Sequence, residues 1–110
     1  MFHGSPWNYL NEYIYPTDSI YRFKDLPFEY IFLGHTHYPM YKTIGKVKII
    51  NPGSVGQPRD FNQPSYAVVD VKLKKVKFKR IVYNTNNLIR EIIKNKEENQ
   101  YLIDVLRRKR

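Results

Sequence analysis

The chain carries three imidazoles, His3, His35 and His37, and each follows a segment that reads as a strand. In Gly34-His35-Thr36-His37 two rings lie two residues apart. Within a continuing strand they would face opposite sides, but just past a strand end the chain leaves the pleat and both can turn toward one cleft. Neutral imidazole is a good ligand for manganese, iron, zinc or nickel, and Gly34 leaves room for backbone to pass close to an ion. Taken singly, each histidine reads as an ordinary polar surface residue. A second loop shifts that balance, Asn51-Pro52-Gly53-Ser54-Val55-Gly56-Gln57-Pro58-Arg59-Asp60. It offers free backbone amides, the small polar side chains of Asn51 and Ser54, and Arg59, all suited to holding a phosphate oxygen.

These residues need strands that end together. Phe2 to Pro6 reads as a strand breaking into a loop, because Gly4 and Pro6 resist regular structure. Thr17 to Leu26 places Ile20, Phe23 and Leu26 three apart behind Thr17 or Asp18, which predicts a short amphipathic helix. Phe28 to Leu33 is an apolar, aromatic and branched run that predicts a buried strand stopping at Gly34. Met40 to Ile44 and Lys46 to Ile50 flank Gly45 as a hairpin, closed by Asn51-Pro52-Gly53. Tyr66 to Val71 and Val76 to Tyr83 form a second hairpin turning near Lys74-Lys75. Helices follow Asn84 to Asn87, with Leu88, Ile89, Ile92 and Ile93 on one apolar face and Tyr101, Leu102, Val105 and Leu106 on a later one. The polar stretch Lys94 to Gln100 separates them. The expected class is α/β (α+β), a mixed or antiparallel sheet of about six strands flanked by helices. Strands and motif loops fill 1–83 and helices 84–110 of a single domain.

Composition limits the alternatives. The 110 residues include no cysteine, which removes disulfides, thiolate metal sites and cysteine nucleophiles. Ten tyrosines and six phenylalanines supply more apolar area than a disordered chain carries. No apolar run approaches the roughly 20 residues that cross a bilayer, so no membrane association is expected and the reading is cytoplasmic. The net charge of +9 is concentrated in Lys72 to Arg80 and Arg107 to Arg110. Between Val71 and Lys79 lysines mostly alternate with apolar residues, as a strand with one wet face requires. A solvated face is therefore favoured over nucleic-acid binding.

Taken in order, His3-Gly4-Ser5-Pro6, Gly34-His35-Thr36-His37 and Asn51 to Asp60 resemble the carboxy-terminal half of a calcineurin-like metallophosphoesterase. The likeness is nearest to the small prokaryotic phosphodiesterase and protein-phosphatase branch, and it runs from Phe2 to about Tyr83. Tyr66-Ala67-Val68-Val69-Asp70 also matches what that branch places after its glycine loop. The resemblance implies hydrolysis of a phosphodiester or phosphomonoester at two divalent ions, manganese first, with iron, nickel, zinc or magnesium as alternatives. It further implies that His3 and His35 bind one metal, that His37 binds the other, and that Gly34, Asn51, Gly53, Ser54 and Arg59 line the phosphate cleft. Two ions about 3.5–4 Å apart would stabilise the entering and leaving oxygens and lower the pKa of a water between them.

The family's aspartate-x-histidine, its bridging aspartate and its asparagine-histidine pair are not matched. Asp18, Asp25 and Asp60 stand in other contexts. The expectation is therefore half a site and half a sandwich. The general acid would come from an amino-terminal half, no catalytic residue would lie in this chain, and the face of Phe28 to Leu33 would favour that half or self-association as a partner. The competing reading is a non-catalytic basic module that holds nucleic acid or another polyanion through its lysine-rich strand and the Arg107-Arg108-Lys109-Arg110 tail.

Overall fold

A computed structural model describes residues 1–95 and 100–108. The expectations for Lys96 to Asn99 and for Lys109-Arg110 lie outside the described residues. Among the described residues five strands form two sheets: β1 (Tyr30–Phe32), β2 (Pro39–Ile44) and β3 (Val47–Pro52) in one, β4 (Ser65–Asp70) and β5 (Lys75–Arg80) in the other. They are followed by α1 (Asn86–Lys94) and α2 (Gln100–Arg107). The first sheet is mixed, in the order β1-β3-β2, with β1 parallel and β2 antiparallel to the central β3.

Branched and aromatic residues fill β1 and β3 because a half-buried pleat accommodates them. Gly45, at φ +56°, opens the two-residue turn between β2 and β3, a backbone region that glycine enters at no steric cost. Pro39 begins the edge strand β2, where no ladder donor is lost. β3 runs on through Asn51-Pro52, past the point where the sequence placed its end. Alternation then sets Asn51 on the same face as Val47 and Ile49.

That face carries the main core, Ile14, Phe23, Ile31, Leu33, Met40, Val47 and Ile49, with Phe2, Ile20, Leu26 and Ile44 packed around it. The helix expected over Thr17 to Leu26 is instead a single 3-10 turn, Tyr21–Phe23. Two local causes are visible. Asp18 accepts the Tyr15 N–H through Oδ2 at 2.8 Å, so it closes a turn instead of capping a helix. The spacing of Ile20, Phe23 and Leu26 is three, the period of a 3-10 turn and not the 3.6 of an α-helix. All three still point inward, and Phe23 is fully buried.

The second hairpin closes between Asp70 and Lys75, as the lysine pattern predicted, with Lys75, Lys77 and Lys79 exposed. In the helices Ile89, Ile92 and Ile103 make a second, smaller core with Leu102 and Leu106. Leu88, Ile93 and Tyr101, placed on apolar faces by the sequence, are solvent-exposed, and Ile103 takes the central position.

Candidate metal and phosphate site

Two strand ends and two loops build the site. Phe2 donates its N–H to the Phe32 carbonyl at 2.9 Å, and Gly34 donates to the His3 carbonyl at 3.0 Å, so the first residues run along the exit of β1. Gly4 holds that segment. A Cβ there would lie 2.5 Å from the Asn8 carbonyl oxygen, and its N–H donates to the Tyr9 carbonyl at 2.7 Å. Ser5 is buried, donates to Glu12 and accepts the N–H groups of Trp7 and Asn8, while Glu12 also pairs with Arg22. His3 therefore leaves a tightly laced loop.

Past β1 the chain turns by means that the residue types disguise. His35 has φ 65° and His37 φ 63°, both in the left-handed region that non-glycine residues seldom occupy. The pleat is broken twice, and buried Thr36 is pinned between. Asn51 does the pinning from within β3. Fully buried, it donates through Nδ2 to the Gly34 carbonyl at 2.8 Å and to Thr36 Oγ1 at 3.1 Å, and accepts the Gly53 N–H at 3.0 Å. Both ends of its amide are thus engaged in bracing the turn.

The turn brings His3 and His35 together, with His3 Nε2 and His35 Nδ1 2.8 Å apart. Tyr13 stacks on the His35 ring at 3.8 Å between centroids. Burial is the first cause that lowers the pKa of His35. The charges of His3 and His37 add to it, the Asn11 backbone opposes it, and Arg59 lowers it further. A lowered pKa keeps His35 neutral near pH 7, the form that ligates.

His37 is turned elsewhere. Its Nδ1 donates to the Gln57 carbonyl at 2.9 Å, a contact that fixes the tautomer and leaves the Nε2 lone pair to bind a metal ion. Ser54 shapes this partner by accepting the Gln57 N–H at 2.9 Å, so Ser54, like Asn51, braces a histidine. Gly53 has φ 85°, and a Cβ there would stand 2.0 Å from Ser65 Oγ. Gly34 is different: a Cβ would make ordinary contacts of 3.6 and 3.7 Å with His3. Arg59 is exposed beside the site, its N–H 3.4 Å from the His37 carbonyl. The next residue, Asp60, pairs with Arg80 and fixes the end of the loop to β5.

The donor set fits part of a metal centre. Two ring nitrogens on one tetrahedral ion, each at roughly 2.0–2.1 Å, would stand about 3.4 Å apart; His3 and His35, hydrogen-bonded at 2.8 Å, need to open by only a few tenths of an ångström to share one. Among the described residues no three His, Asp or Glu side chains converge as a complete set. Sequence reasoning missed Tyr13 and Asn11, and it held Thr36 and Gln57 only as members of their motifs, without the bracing roles they take.

Comparisons with known proteins place the chain in a family. Residues 1–74 match the calcineurin-like phosphoesterase superfamily domain. An uncharacterized protein of Methanocaldococcus jannaschii is 35% identical over 103 residues, covering 77% of this chain and 41% of that protein. The crystal structure of a metallophosphoesterase from Sphaerobacter thermophilus is similar with a TM-score of 0.83 at 29% identity, over 96% of this chain and 53% of its own. A hypothetical protein from Pyrococcus horikoshii gives a TM-score of 0.78 at 25% identity, over 96% of this chain and 44% of its own. The chain thus spans about half the length of the relatives it matches.

Proposed function

This chain belongs to the calcineurin-like phosphoesterase superfamily, and on that premise we propose that it supplies one side of a divalent-metal-dependent phosphoesterase site, acting on phosphodiesters or phosphomonoesters, that a further polypeptide segment completes. The family's chemistry rests on divalent metals. The observation that carries the proposal is the pairing of His3 and His35 at 2.8 Å on a left-handed turn held by Asn51. In it, His3 and His35 hold one ion and His37 a second, with manganese the first choice among ions that accept imidazole and oxygen donors. Bound metals would supply positive charge to lower the pKa of a water and to offset charge developing on the phosphoryl group.

The chain's own residues do the positioning. Asn51 and Thr36 fix the turn, the Gln57 carbonyl orients the His37 ring, and Arg59 offers a planar guanidinium to a phosphate oxygen. Neutral histidines bring no negative charge, so the carboxylates that balance two divalent ions, and the general acid, come from the completing segment. No described helix is long and apolar enough to cross a membrane.

Hydrolysis of a chromogenic phosphodiester in manganese tests this. The chain alone should be inactive. Co-expression with a segment carrying the aspartate-x-histidine and asparagine-histidine motifs should restore turnover, and His35→Ala should then reduce it at least a hundredfold. Restored activity that survives this substitution would overturn the ligand assignment.

A further inference from the structure

We propose that a second groove, at the opposite end of β3 from the histidines, binds single-stranded nucleic acid. This goes beyond the hydrolytic reading and uses none of its residues. The groove has a volume of about 660 Å³, and its lining includes the apolar Leu26, Pro27 and Phe28 and the basic Lys46, Lys48 and Lys74. The lysines come from two different hairpins, Lys46 from the turn between β2 and β3 and Lys74 from the turn between β4 and β5. Their convergence is therefore invisible in the sequence.

The charge is fixed as well as concentrated. Lys48 has a side chain 17% exposed, stands 5.2 Å from the centre of the Tyr30 ring and lies 3.5 Å from Glu29. Lys74 reaches the same Glu29 oxygen at 3.5 Å. Its backbone sits at φ 52°, a conformation unusual for lysine. One carboxylate thus pairs with two ammonium groups while Lys46 adds a third to the lining, which leaves an excess of positive charge there. Phe28, 46% exposed on the apolar wall, presents an aromatic ring to the same space.

From Lys74 the charge continues along β5. Lys75, Lys77 and Lys79 are exposed on one face, spaced about 6.6–6.8 Å apart by the strand repeat. Opposite them in register stand Asp70, Val68 and Tyr66, and Tyr66 and Val68 are also exposed. A groove with ammonium groups to follow a phosphate backbone and rings to stack on bases is the recognition mode for single strands. The lysine-bearing face, solvated when considered strand by strand, becomes the continuation of a site once the two hairpins meet.

The test is fluorescence anisotropy of a labelled oligothymidylate against the intact chain, with thermal unfolding of each variant as the folding check. Binding should persist in EDTA and weaken steeply with salt. Lys46→Glu with Lys74→Glu should weaken it at least tenfold and reduce the slope of log affinity against log salt by about 1.4, roughly 0.7 for each phosphate that is no longer neutralised. If that pair fails to fold, Lys46→Gln with Lys74→Gln serves in its place. Lys94→Glu with Arg107→Glu makes the same charge change on the helices and should cost less than threefold. Phe28→Ala should weaken the oligonucleotide several-fold and leave inorganic polyphosphate unaffected. No binding at low salt, an equal loss from the helix pair, or indifference of the oligonucleotide to Phe28→Ala would each overturn the proposal.

Discussion

Asn51 shows how much of a site can rest on a side chain that never reaches the ligand. Buried and making three hydrogen bonds, it holds the turn that presents His35 and His37. Asn51→Ala leaves buried partners unsatisfied and is expected to cost about 3 kcal/mol of stability, read by urea denaturation. It should also weaken manganese binding as strongly as loss of a histidine ligand, read by calorimetry of the completed protein. The two glycines beside the site separate in the same way. Gly53→Ala meets both a positive φ of 85° and Ser65 Oγ at 2.0 Å. It should destabilise by about 3 kcal/mol. Gly34→Ala makes only van der Waals contacts and should fall within about 0.5 kcal/mol of the parent. Equal losses at the two positions would contradict the geometry.

At the scale of elements, the second hairpin anchors the glycine loop through Asp60 and Arg80. Burial alone would raise the pKa of Asp60, but hydrogen bonds from Arg80 and from the Phe61 backbone prevail and lower it below 3.8. A depressed carboxyl contributes stability above its unfolded value and loses it as pH falls through the folded one. Asp60→Asn should therefore be less stable than the parent by about 1–2 kcal/mol at neutral pH. The gap should narrow as pH falls below 3.8 and close only where the folded carboxyl is itself protonated, in chemical denaturation followed across pH. Strand positions were legible because period-2 alternation and the Gly45 and Lys74-Lys75 turns are local signals. The 3-10 turn was not, since Asp18 satisfies the backbone within its own neighbourhood and a three-residue spacing suits two kinds of helix. The site was legible as an ordered set of motifs. Its interior was not: Asn51 looked like the end of a strand and proved to lie inside one, and the partnership of Gln57 with His37 joins residues twenty apart.

The molecule as a whole is drawn out, 50 × 29 × 22 Å, with a radius of gyration of 16.2 Å. A compact domain of this length would give about 13 Å. Large side chains such as Tyr9, Leu10, Tyr21, Val82 and Ile93 stand mostly in solvent. Such a surface favours association, so sedimentation velocity of the isolated chain should show species heavier than 13.3 kDa growing with concentration. A monomer throughout would refute this expectation. The separation of the two cores has its own consequence. The sheet with its histidines closes around Ile31, Val47 and Ile49, while Ile89, Ile92 and Ile103 satisfy one another in the helical pair. The helices thus form their own packing unit but meet the histidine-bearing part of the fold at Gly56 and Gln57, so a change on their apolar face would reach the chemistry of the strand ends through the carbonyl that orients His37.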